Sequence, residues 1–89
     1  MKVAVLYRSN SEQERPVLDF ERDYNHVTGR QLSLLDVNTR DGWAMASLYD
    51  IVRYPAVLAI DNNGQLLQLW DGDNLPLMNE VMYYDHAMA

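Results

Sequence analysis

The sequence predicts an α/β domain in which a four-stranded mixed sheet carries helices on both faces, in the chain order β-α-β-α-β-β-α. Three observations lead there. Lys2 to Tyr7 is aliphatic without polar alternation, the pattern of a strand covered on both sides. Amphipathic stretches separate the short apolar runs in the first half of the chain. Ala56 to Ile60 and Gln65 to Trp70 flank Asp61-Asn62-Asn63-Gly64, and an Asn-Gly pair is a two-residue hairpin signal because both positions tolerate positive φ.

Taken in order, Lys2 to Tyr7 is the first strand. Ser11-Glu12-Gln13-Glu14 has the S-x-x-E form of a capping box, with Ser11 as the expected cap of the first helix. Val17, Phe20, Tyr24 and Val27 then form its apolar stripe, and Gly29 suits a left-handed cap after Thr28. Gln31 to Val37 reads as the second strand. Thr39 or Asn38 caps a second helix running through Trp43, Ala44, Ala46, Leu48 and Tyr49. Pro55 sterically bars a helical Tyr54, so that helix must stop before it. Ala56 to Ile60 and Gln65 to Trp70 are antiparallel neighbours. Leu75-Pro76 opens a third helix bearing Leu77, Met78, Val81, Met82 and Tyr84. Right-handed crossovers join the parallel strands.

With 89 residues, 48% of them hydrophobic, the chain can bury one modest core, so residues 1–89 are expected to form a single domain. The longest apolar runs, Val3 to Tyr7 and Pro55 to Ile60, are too short to cross a bilayer, and Met1-Lys2 is not followed by a secretory apolar stretch. A cytoplasmic protein is the expectation. Thirteen acidic residues against seven basic ones give a formal charge of −6, which repels nucleic acid and anionic membrane surfaces. There is no cysteine, hence no disulfide framework and no thiolate.

The segment Tyr49-Asp50-Ile51-Val52-Arg53-Tyr54-Pro55, running into the hairpin and on to Trp70-Asp71-Gly72, resembles the second half of a thioredoxin, where a Y-x-I-x-x-x-P-T segment carries a cis-proline that opens the third strand. The run RPVLDFERDY is similar to the family's first-helix segment and LSLLDVNT to its second strand. The resemblance to the thioredoxin-like superfamily, the thioredoxin and glutaredoxin core, extends over nearly the whole chain. It implies a thioredoxin-like β-α-β-α-β-β-α fold, a cis bond between Tyr54 and Pro55, and a Tyr54 backbone offered to an extended peptide or to glutathione. Counting back from Pro16 places Arg8-Ser9-Asn10-Ser11 where the family carries C-x-x-C. Without a thiolate and a resolving thiol, thiol-disulfide exchange is excluded.

The resemblance therefore nominates Tyr7, Arg8, Ser9, Asn10, Ser11, Tyr54, Pro55, Trp70 and Gly72 as ligand- or peptide-binding residues. Each has a plainer reading: the hydroxyls and Asn10 end a strand and cap a helix, and the aromatics belong to the core. Glu12 and Glu14 already satisfy the positive helix start, against an anionic ligand. Asp36 to Gly42 has a passing likeness to a calcium loop, but Arg40 stands at a ligand position and Ser47 where the bidentate glutamate belongs, so a strand end and a helix cap explain it better. His26 and His86 have no ligand-spaced partner. No catalytic residue, metal or cofactor is expected. The reading is a non-redox module that binds a protein or extended peptide, or serves in assembly, as a monomer or weak homodimer. Neither nucleic acid nor membrane is an expected partner. The alternatives are a glutathione-binding or glutathione-transferase-like domain, with Tyr7, Ser9 or Ser11 activating the thiol, and a structural oligomerisation protein using an apolar face of the last helix.

Overall fold

The computed structural model describes residues 2–72 and 75–87. Its elements are β1 (Lys2–Tyr7), α1 (Glu14–Thr28), β2 (Ser33–Asp36), α2 (Arg40–Leu48), β3 (Ala56–Ile60), β4 (Leu66–Asp71) and α3 (Met78–Ala87). The strands form one mixed sheet in the order β2-β1-β3-β4. β1 runs parallel to β2, with Leu6 opposite Leu35, and antiparallel to β3, with Val5 opposite Val57. β3 and β4 form the antiparallel hairpin.

Alternation along the two central strands sends their side chains to opposite layers. Val3, Val5 and Val57 meet Val17 and Tyr24 of α1 and Val81 of α3, while Leu6, Ala56, Leu58 and Ile60 meet Ala46 of α2, with Val37 and Ile51. This is why the sequences of β1 and β3 lack polar alternation: both faces are inside. Each fully buried Val or Leu adds about 1.5–3 kcal/mol relative to leaving it in water. Tyr24 is completely buried, and its hydroxyl donates to Asp85 Oδ2 at 2.6 Å, tying α1 to α3; Arg30 Nη1 lies 3.4 Å from the other carboxylate oxygen.

Several element ends differ from those predicted. α1 begins at Glu14 with Gln13, not Ser11, at the cap position, because residues 11–13 form a turn in which Glu14 N–H donates to the Ser11 carbonyl at 3.2 Å. The capping partners survive one residue out of step: Ser11 Oγ accepts from Gln13 N–H at 3.2 Å and Glu14 Oε2 from Asn10 N–H at 3.1 Å. At the other end Gly29 takes the left-handed conformation, φ 72°, and its N–H donates to Asn25 O at 2.8 Å. Val27 is 63% exposed, since it sits about 80° around the helix from Val17, at the edge of the stripe. β2 is shorter than Gln31 to Val37, although Leu32 and Val37 flank it as buried residues.

The hairpin loop is not the two-residue type that Asn-Gly suggests. Positive φ is confined to Gly64 (83°), whose N–H donates to Asp61 O at 3.1 Å, and the Asp61 carboxylate accepts the N–H groups of Asn63 and Gln65. A β-turn followed by a left-handed glycine is the three-residue hairpin. Asp61, by accepting twice, selects it. α2 is capped by Thr39, whose hydroxyl accepts from Gly42 N–H at 3.2 Å. Trp43 and Leu48, expected along it, are 67% and 72% exposed. α3 starts at Met78, leaving Leu77 exposed, while Val81, Met78 and Met82 pack inward. The His86 side chain and Met88 lie outside the described residues.

Candidate functional site

The site is assembled where the chain leaves β1, turns, and enters α1 opposite the start of β3. Val37 N–H holds the Tyr7 carbonyl at 2.9 Å, fixing the end of β1 beside β2. Ser9 N–H then donates to Asp36 Oδ1 at 3.3 Å, and the same oxygen accepts Asn38 N–H at 2.9 Å. Hydrogen bonding by the Ser9 hydroxyl, followed by the Asn38 N–H, holds the Asp36 carboxyl below the usual carboxylate range. Asn10 occupies the left-handed region, φ 57°, which asparagine tolerates better than most residues. Ser11 Oγ donates to Arg8 O at 2.6 Å, so its proton goes to a backbone carbonyl rather than to a base of the kind that activates a nucleophile.

Gln13 joins the two halves of the site. Its side-chain carbonyl accepts Arg8 N–H at 3.2 Å, and its amide nitrogen donates to the Tyr54 carbonyl at 3.1 Å. Nothing in the periodicity of the sequence marks Gln13; its role lies in a pairing across 41 positions. The Arg8 guanidinium lies 5.3 Å from the centre of the Tyr54 ring, a cation–π distance. The Tyr54 hydroxyl donates to Ile51 O at 3.0 Å, and the bond to Pro55 is cis. Gly72 N–H donates to Pro55 O at 3.1 Å. Gly72 has φ 99°, a backbone conformation that favours glycine, whereas the Arg53 guanidinium 2.7 Å from an added Cβ is the end of a flexible side chain that can move aside.

Between these segments lies an open recess of about 490 Å³ lined by Ser11, Glu12, Gln13, Pro16 and Pro55. Of the residues nominated by the sequence, Ser11 and Pro55 are on its wall. Arg8 and Tyr54 stack together and are tied to that wall through Gln13, Ser9 and Asn10 are bound into the loop, and Gly72 backs Pro55. Two of the nominated aromatics lie elsewhere. Tyr7 packs against the core layer beneath α1 and α3. Burial pushes its phenol pKa up, with the negative charges of Asp36 and Glu14 adding to the shift. Trp70 lines a second recess with residues of α3. Gly42 is explained by packing: its Cα faces the Asp36 carbonyl more closely than any Cβ permits, which accounts for the Asp36 to Gly42 segment as a strand end closing onto a helix cap.

The fold so described is thioredoxin-like. The structure superimposes on thioredoxin 1 from the thermophilic eubacterium Thermosipho africanus TCF52B with a TM-score of 0.66 and 11% identity, over 98% of this chain and 92% of that one. A structure described as that of a malarial protein matches with a TM-score of 0.67 and 12% identity, over 97% and 93% of the two chains. At this identity the likeness is one of fold. No protein-family model matches the chain, and no curated protein matches it in sequence. Among the described residues no helix is long and apolar enough to cross a membrane.

Proposed function

We propose that the chain is a non-redox thioredoxin-like module that holds an extended peptide segment of a partner protein in the recess between the start of α1 and Pro55. The observation that carries the reading is the Gln13–Tyr54 hydrogen bond: a side-chain amide occupies the backbone carbonyl at the recess, as the N–H of an added peptide would. Two proline rings, Pro16 and Pro55, give the recess an apolar lining, and Glu12 gives it a negative one. With the chain's charge of −6, this favours a peptide of aliphatic and basic residues. The protein works in the cytoplasm and catalyses no reaction in this reading.

The glutathione alternative draws less support. Glutathione carries two carboxylates, and the recess wall presents Glu12, with Glu14 next to it. A tyrosine that activates a thiol must favour the thiolate, whereas the carboxylates of Asp36 and Glu14 act on Tyr7 against a nearby negative charge. Titrating the labelled protein with a pool of lysine- and aliphatic-rich decapeptides, and separately with glutathione, distinguishes the readings. Amide shifts at Ser11 to Gln13, Tyr54 and Ala56 with the peptides and not with glutathione are expected. Shifts there with glutathione alone would replace the peptide reading, and none with either ligand would remove the recess from the account.

A further inference from the structure

We propose that the second recess, between β4 and α3, is a binding site for a quaternary or fully methylated ammonium group. It has a volume of about 320 Å³ and is lined by Gln68, Trp70, Asn79, Glu80, Tyr83 and Tyr84. It shares no wall residue with the first recess, so the two readings stand or fall separately.

The aromatic arrangement carries the inference. Trp70 and Tyr84 meet at 75° with ring centres 5.6 Å apart, and Tyr83 and Tyr84 at 85° and 5.1 Å. The three rings pack edge to face in a row, Trp70 on Tyr84 and Tyr84 on Tyr83, and all three line the recess, so a compact cation seated in it lies against aromatic surface. Trp70 Nε1 donates to Glu80 Oε2 at 3.1 Å, which fixes the indole and places a carboxylate on the same wall. Glu80 takes part in none of the ion pairs among the described residues, and neither lysine nor arginine lines the recess. Burial alone does not account for the cluster, since Tyr83 is 66% exposed.

The polar groups of the wall select the kind of cation. Gln68 donates to the Tyr84 hydroxyl at 3.4 Å, its carbonyl accepts Leu69 N–H at 3.0 Å, and Glu80 already accepts from Trp70. Acceptors are thus partly committed within the protein, whereas a primary ammonium brings three N–H donors and a strong hydration shell. A quaternary ammonium has no N–H to satisfy and meets aromatic faces through its methyl groups. The chain's charge of −6 raises the local concentration of any cation.

The test is a titration of the intact chain with choline and with tetramethylammonium, followed at the Trp70 indole N–H resonance. 3,3-Dimethyl-1-butanol serves as the uncharged isostere of choline. Choline is expected to give a saturable shift and to bind about 10-fold tighter than the isostere, and Tyr83→Ala and Glu80→Gln are each expected to weaken it roughly 3- to 10-fold. Tyr83 is exposed, so its variant should retain the wild-type thermal midpoint, which separates lost binding from lost folding. Decapeptides with trimethyllysine or with plain lysine identify the source. Binding of the free cations supports a small-molecule ligand, and binding of the trimethyllysine peptide alone supports a modified side chain on a partner. Equal affinity for the uncharged isostere, no shift with any of these cations, or full affinity in Tyr83→Ala overturns the proposal.

Discussion

At the residue scale, Asp36 gathers the Ser9 and Asn38 N–H groups onto one oxygen at the end of β2. Its folded-state pKa is lowered, chiefly by the Ser9 hydroxyl. The ionised form is therefore favoured by folding, and the resulting stability is present above the unfolded carboxyl's pKa of about 3.9 and lost as pH falls through it toward the folded value. The stability gap between wild type and Asp36→Asn should be constant at neutral pH and shrink below about pH 4, as measured by urea unfolding at a series of pH values. A gap independent of pH would contradict this. Tyr24 has the opposite sign: burial, then the hydrogen bond to Asp85, raise its pKa well above the usual phenol value. Its contribution is complete below about pH 10 and lost as pH rises beyond it. Tyr24→Phe should cost about 1–2 kcal/mol near neutral pH and flatten the alkaline loss of stability. Ser11 and Pro55, which line the first recess, were named from the sequence through the resemblance. Gln13 was not, because its partner is 41 positions away, and Trp70 was drawn to the second recess by Glu80, on an element whose packing the sequence does not display.

At the element scale, β1 and β3 were readable to the residue because burial on both faces removes polar side chains from them. The start of α1 was not, since Ser11 and Glu14 close a turn ahead of the helix with the same side-chain oxygens that a capping box would use. The hairpin was located correctly, but Asp61, rather than the Asn-Gly pair, decides its geometry. Two glycines separate backbone strain from steric collision. Gly29 has φ 72° with nothing within 4 Å of an added Cβ, so Gly29→Ala should cost only the left-handed backbone penalty, about 1–2 kcal/mol. Gly42 instead faces the Asp36 backbone, which cannot yield without parting α2 from β2. Gly42→Ala should be the more destabilising of the two in denaturant unfolding, and equal midpoints would contradict the close approach of α2 to β2.

At the scale of the whole molecule, connectivity was the most legible property: a hairpin fixes β3 beside β4, and the remaining strands have few other places to go. The same connectivity places the exit of β1, the start of α1 and Pro55 together, which is how residues distant in sequence form one recess. Lacking any cysteine, the protein should give no turnover in insulin-reduction or dithiol-oxidation assays; activity above a heat-denatured control would contradict a non-redox role. The central claim is that the Tyr54 carbonyl, held by Gln13 in the free protein, is the acceptor an extended peptide takes over. It is tested most directly by comparing the affinity of a recess-binding decapeptide for wild type and for Gln13→Ala by calorimetry. Removing the internal donor frees the carbonyl, so the variant should bind the peptide tighter by about 2- to 10-fold, corresponding to one hydrogen bond no longer displaced. Unchanged or weaker binding in Gln13→Ala would contradict the claim.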